Sequence, residues 1–127
     1  YLAGGISAPS QAVALHALRQ ADRLVERCRR IVLANLRFLG DWIRRRTDMN
    51  WIEPDAGTIA LLKLPPHIDA IALSILLREK YSTLVAPGDF FWLKGFIRVS
   101  LGIDEEVLKA GLKNLSSAID ELKSSKR

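Results

Sequence analysis

The chain has 127 residues, 49% of them hydrophobic and 26% charged, with a formal net charge of +5. That is enough for one domain with a modest core, in the composition range of globular proteins rather than disordered or fibrous ones. No apolar run approaches the ~20 residues of a membrane-spanning helix, and the single Cys28 excludes an internal disulfide and fits a reducing, cytoplasmic compartment.

The opening Tyr1-Leu2-Ala3-Gly4-Gly5 is neither a signal peptide nor a start at Met, so the chain is expected to be a piece trimmed from a longer protein. Ser10 through Leu18 reads as a short helix, with Ser7 or Ser10 as cap and Pro9 near its start. Asp22 to about Arg46 reads as a long helix. Its apolar positions Leu24, Val25, Cys28, Ile31, Val32, Leu36, Leu39, Trp42 and Ile43 recur every three or four residues, which places Cys28 in the core as a buried thiol. Gly40 inside that pattern marks a place for close packing. Nine arginines crowd residues 19–46 but are interleaved with Asp22, Glu26 and Asp41. Glu26–Arg30 and Asp41–Arg45 stand in the favourable i,i+4 order, so the stretch reads as a solvated helix face rather than a nucleic-acid stripe.

Met49 to Glu53 is a short strand, Pro54-Asp55-Ala56-Gly57 a turn, and Thr58 to Leu64 a strand stopped by Pro65-Pro66. Ile68 to Tyr81 is a helix apolar on nearly every side and hence expected to be well buried. Thr83 to Ala86 is a short strand, and Pro87-Gly88-Asp89 turns the chain. Asp104 caps a last helix with the stripe Val107, Leu108, Leu112, Leu115, Ala118, Ile119 and Leu122, after which the basic tail Lys123–Arg127 frays. The fold class is α/β, as an α+β two-layer sandwich: a small, mostly antiparallel sheet with helices on one face and a long N-terminal connecting helix.

The chemistry concentrates in Gly95-Phe96-Ile97-Arg98-Val99-Ser100-Leu101-Gly102. Alternation along a strand puts Ile97, Val99 and Leu101 on one face and Phe96, Arg98 and Ser100 on the other. The first set belongs to the core. An unpaired guanidinium is a costly choice for stability, but it grips a carboxylate through two parallel hydrogen bonds. The competing reading of Arg98 is a half-exposed sheet residue paired with a surface carboxylate. His16 and His67 lack partners at metal-ligand spacing. Gly4-Gly5 and Gly102 make no phosphate fingerprint. Asn114-Leu115-Ser116 is a sequon only by letter, and Trp42, Trp51 and Trp92 read as core or interface.

Four segments resemble, in order and spacing, the C-terminal small domain of the class I/II aminotransferases, the fold-type I enzymes that use pyridoxal 5'-phosphate. They are Ser7-Ala8-Pro9-Ser10-Gln11-Ala12, Glu53-Pro54-Asp55-Ala56-Gly57-Thr58-Ile59, Leu84-Val85-Ala86-Pro87-Gly88-Asp89-Phe90-Phe91, and the Arg98 strand. The departures are Thr58-Ile59, where an aromatic usually follows the glycine, and Ala86, where a branched residue is commoner. The resemblance implies that Arg98 binds the α-carboxylate of an amino-acid substrate. It implies that Gly88 and Phe90 wall the substrate side of the pocket and that Gly57 lies near a domain interface. It makes residues 1–20 the end of an interdomain connection and residues 21–127 the small domain, with a large cofactor-binding domain absent from the chain. The implied reaction is transfer of an amino group between an amino acid and a 2-oxo acid, by a homodimer with no nucleic-acid or membrane partner. The Schiff-base lysine, the phosphate cradle and the acidic partner of the pyridine nitrogen belong to that large domain. Lys63 and Lys94 are the lysines nearest the active face, and neither stands in the Ser-x-x-Lys context. No catalytic or cofactor-binding residue is therefore expected on this chain, and the chain alone is expected to be inert. The alternative is a stand-alone interaction module that offers its basic helix face to an acidic partner such as nucleic acid.

Overall fold

The computed structural model describes residue 5 and residues 7–124. The expectations for the opening segment and the fraying tail fall largely on residues 1–4, 6 and 125–127, which lie outside the described residues. The chain divides into two compact units, residues 1–30 and residues 31–127, with the division inside a helix.

In the first unit, α1 spans Ala8–Arg19. Ser7 caps it, its hydroxyl oxygen accepting the Ser10 N–H at 3.4 Å, and Pro9 occupies the first turn, where its missing N–H is harmless. Gln20 breaks the helix, and α2 follows over Ala21–Arg44. Leu24, Val25 and Cys28 are exposed, which corrects the expectation that α2 buries its apolar stripe from the start and that Cys28 is a core thiol. Periodicity identifies the apolar face of a helix but not the length over which that face is covered.

The second unit carries the core. From Ile31 onward α2 buries Asn35, Leu39, Gly40 and Ile43. Gly40 is the site of close packing: a Cβ there would stand 3.4 Å from the Trp51 ring. Strands β1 (Asn50–Ile52), β2 (Ile59–Lys63), β3 (Ala86–Pro87) and β4 (Phe96–Ser100) form an antiparallel sheet in the order β1-β2-β4-β3. Helix α3 spans Ala70–Tyr81 and α4 spans Glu105–Ser124. Asp69 caps α3 by accepting the Ala72 N–H at 2.8 Å, and Asp104 accepts the Glu106 N–H at 2.9 Å at the start of α4. Ala60, Leu62, Ile97, Val99 and Leu101 pack from the sheet into one cluster with Leu39, Ile43, Leu73, Leu77, Leu108, Leu112, Leu115 and Ile119. The fold is α+β.

Two expectations need correction. Helix α3 is not buried all round: Leu73 and Leu77 face the core while Ile71 and Ile75 are exposed. Strand β3 is only Ala86–Pro87 rather than Thr83 to Ala86, while the expected turn after Pro87 is a 3-10 turn over Gly88–Phe91. The arginine stretch is solvated as read, but Asp41 pairs with Arg44 rather than Arg45. Arg46 is half-buried. It grips Asp48 with both Nε and Nη2, at 2.9 and 2.7 Å, beneath a Lys123 ammonium from α4.

Candidate functional site

The strand register determines what surrounds Arg98. It pairs with Leu61 on β2 and Ala86 on β3, while Phe96 pairs with Lys63 and Ser100 with Ile59. Directly opposed residues in an antiparallel sheet point to the same side. Ile59, Leu61, Lys63, Ala86, Phe96, Arg98 and Ser100 therefore share the face away from the core. Both ends of the β2–β4 ladder are extended, since Leu64 N–H donates to Gly95 O at 2.9 Å and Leu101 N–H to Thr58 O at 2.7 Å. Arg98 thus sits mid-strand on an inner strand paired on both sides.

Its guanidinium is half-buried, and its carbon lies 4.6 Å from the centre of the Phe91 ring. That is cation–π distance, and no hydrogen bond among the described residues engages the guanidinium N–H groups. No carboxylate of the described residues pairs with Arg98. The competing reading, a sheet arginine neutralised by its own surface carboxylate, therefore does not hold among the described residues. Arg98 opens onto a cavity of about 500 Å³ together with Thr58, Ile59, Leu84, Ala86 and Ser100. A second cavity of about 500 Å³ is walled by Val99, Ile103, Val107 and Leu112 and offers no charged side chain. Its amide is already engaged: Asn114 donates to Thr83 Oγ1 at 2.9 Å and to Tyr81 O at 3.2 Å. A smaller cavity of about 350 Å³ is lined by Lys94 together with Asp69 and Asp89, so of these cavities the first is the one whose cation has no carboxylate in the same lining.

The other sequence candidates lie around this point in different ways. Gly88 is buried at the start of the 3-10 turn, where a Cβ would fall on the Leu93 carbonyl oxygen and 2.9 Å from that of Phe96. The turn can close only around a glycine. Gly57 is exposed in the β1–β2 connection with φ +96, the left-handed region that favours glycine. Phe90 is 68% exposed, and the ring against the guanidinium is its neighbour Phe91, which the sequence reading passed over. Counting the Pro-Gly-x-x-Phe spacing from Pro87 ends on Phe91 and would have found it. Trp92 is not a core residue: it follows in left-handed conformation, φ 58, and is 96% exposed, which leaves the interface half of the expectation.

The starts of α3 and α4 are poorly suited to a phosphate. A phosphate is held best by free N–H groups at a helix start. The starts of α3 and α4 instead carry Asp69 and the run Asp104, Glu105, Glu106, which repel an anion. Lys63 and Lys94 are both exposed. Among the described residues, no three His, Cys, Asp or Glu side chains gather as a metal site, and no helix is long and apolar enough to cross a membrane.

The model of the family "Aminotransferase class I and II" matches residues 1–115. A curated relative from Aquifex aeolicus, described as a probable aspartate/prephenate aminotransferase, is 36% identical over 52 residues, covering 41% of this chain and 13% of that protein. Among solved structures, a PLP-dependent aminotransferase from Streptococcus suis superposes with a TM-score of 0.82 at 26% identity, over 87% of this chain and 30% of its own. The PLP-dependent cyclase OrfR superposes with a TM-score of 0.85 at 27% identity, over 91% of this chain and 32% of its own. The chain thus spans about a third or less of these relatives. By the match over residues 1–115, the chain belongs to the class I and II aminotransferases, the family that works with pyridoxal 5'-phosphate.

Proposed function

We propose that this chain is the small C-terminal domain of an aminotransferase that moves an amino group between an amino acid and a 2-oxo acid, and that Arg98 holds the α-carboxylate of either substrate. The observation that carries this reading is the free guanidinium fork of Arg98, braced by Phe91 at 4.6 Å and without a carboxylate among the described residues. A planar fork matches a carboxylate in two parallel hydrogen bonds. Gly88 and Phe90 wall the substrate side through the 3-10 turn, and Gly57 lies toward the domain interface. The cofactor, its lysine and its phosphate cradle belong to a large domain outside this chain, which supports the reading that the chain alone is inert. The complete enzyme is a homodimer in the cytoplasm, a location that the lone exposed Cys28 supports. The test is steady-state kinetics of the complete enzyme with Arg98 replaced: KM for both amino acid and 2-oxo acid rises while cofactor loading is retained.

A second reading has a specific support. The similarity to the cyclase OrfR, TM-score 0.85 at 27% identity, is slightly above that to the aminotransferase from Streptococcus suis, 0.82 at 26%. A pyridoxal-phosphate enzyme that rearranges an amino acid without passing on its nitrogen needs the same grip on the carboxylate. Product analysis with a 2-oxo acid acceptor separates the two, since only a transaminase consumes the acceptor.

A further inference from the structure

Asn35 is the fully buried polar side chain of the described residues, 1% exposed in the middle of α2. Its Nδ2 donates twice, to Leu101 O at 2.9 Å and to Ile103 O at 2.8 Å. Its Oδ1 is buried and accepts nothing from the described residues. Leucine has nearly the same shape and would fill the same place without an orphaned acceptor, whose desolvation is unfavourable. The use of asparagine here therefore lies in the two bonds it donates.

Both bonds end in the turn that leaves β4. They fasten the carbonyls on either side of Gly102 to α2. The other bonds of that turn are Leu101 N–H to Thr58 O at 2.7 Å, where regular pairing ends, and Gly102 N–H to Ser100 Oγ at 3.3 Å; beyond Leu101 the Asn35 amide is what ties the turn to α2. Leu101 lies three residues beyond Arg98 on continuous backbone. We propose that Asn35 is a positioning residue for Arg98: it pins the exit of β4, so that the strand keeps its register against β2 and the guanidinium keeps its place over Phe91. This rests on the reading of Arg98 as the carboxylate grip.

The test compares Asn35→Leu with Ile119→Val, a core substitution that weakens packing without touching the turn. Amide hydrogen exchange on the 127-residue chain is the first readout. Asn35→Leu is expected to speed exchange at Leu101 and Gly102 about tenfold relative to Leu62, whereas Ile119→Val moves the protected amides together. The second readout is kinetic, in the complete enzyme: Asn35→Leu raises KM for the amino acid about tenfold with a smaller change in kcat. Exchange that rises uniformly in Asn35→Leu, or an unchanged KM, overturns the proposal. If Asn35→Leu does not fold, the Asn35 Nδ2 hydrogens of the unaltered chain decide it: slow exchange supports the clamp, and exchange at the rate of a free amide overturns it. Arg98→Ala is the separating control. If it leaves kcat/KM intact, the carboxylate reading fails; if it does not and Asn35→Leu does, only the positioning role fails.

Discussion

The guanidinium of Arg98 and the ring of Phe91 lie 4.6 Å apart, although they sit on different elements seven residues apart in the chain. The 3-10 turn carries the ring, and β4 carries the charge. Such a contact is worth about 1 kcal/mol when partly desolvated. Phe91→Leu in the complete enzyme is expected to lower kcat/KM about fivefold, whereas Phe91→Tyr retains it. Phe90→Leu, at a ring that does not meet the guanidinium, is expected to do less. Equal losses at both positions would count against the stacking role.

Arg98 itself is expected to tolerate no replacement. Arg98→Lys keeps the charge but loses the two-pronged geometry, and KM rises for both substrates. Arg98→Ala costs more, on the order of 3 kcal/mol in kcat/KM, as when one side of a buried charge pair is removed. Unchanged kcat/KM in Arg98→Ala would end the assignment.

Gly88→Ala tests the turn without reference to chemistry. The new methyl group meets two backbone carbonyls, which cannot swing aside as a flexible side chain can. The expected loss is about 2 kcal/mol or more, read as a fall in Tm of roughly 10 °C in thermal denaturation of the chain. Gly57→Ala, where a Cβ meets nothing within 4 Å and only φ is unfavourable, is expected to cost about 1 kcal/mol.

Acid is expected to weaken the far end of the fold first. The bidentate Arg46 and the nearby Lys123 hold the Asp48 carboxyl well below its ordinary value, against the opposing effect of burial. A carboxylate whose pKa is lower folded than unfolded adds stability above its unfolded value. That stability is complete above about pH 5 and declines as pH falls through about 3.9 and below. Asp48→Asn should cost about 2 kcal/mol near neutrality and reduce the pH dependence of urea unfolding between about pH 5 and 2, the remainder coming from carboxyls such as Glu121, which Lys80 and Tyr81 also hold low. A variant with the slope of the parent would assign the acid sensitivity elsewhere.

Incubation of the chain with pyridoxal 5'-phosphate and borohydride, followed by peptide mapping, is expected to spread a substoichiometric label over exposed lysines. One equivalent concentrated on Lys63 or Lys94 would place cofactor chemistry on this chain after all.

Much of this was legible in the sequence where one periodicity had one interpretation. Alternation over Phe96–Leu101 placed Ile97, Val99 and Leu101 in the core and Arg98 outside, and the structure agrees. Pro9, Ser7 and Asp104 mark helix starts because their side chains or missing N–H groups satisfy local backbone needs, whereas the cap Asp69 lay inside the helix expected from Ile68. Coverage was not legible. Leu24, Val25 and Cys28 carry the same spacing as Leu39 and Ile43, and nothing local distinguishes a covered stripe from an uncovered one. Phe91 was missed because two adjacent phenylalanines follow Asp89, and only the fold shows which ring turns toward β4. Asn35 was missed because both its partners are carbonyls some 66–68 residues away, a relationship that leaves no mark on composition or spacing.

The two-residue strand β3 has a consequence for how copies of this molecule meet. An edge strand normally displays a row of free N–H and C=O groups that another chain can zip onto. Here the edge is only Ala86–Pro87, and its second residue has no N–H to give. The strand that bears Arg98 lies one place in from an edge too short and too poor in donors to template another sheet. Sheet extension through that side has little backbone to use, and the face that bears Arg98 is left open without a charged residue being spent to guard it.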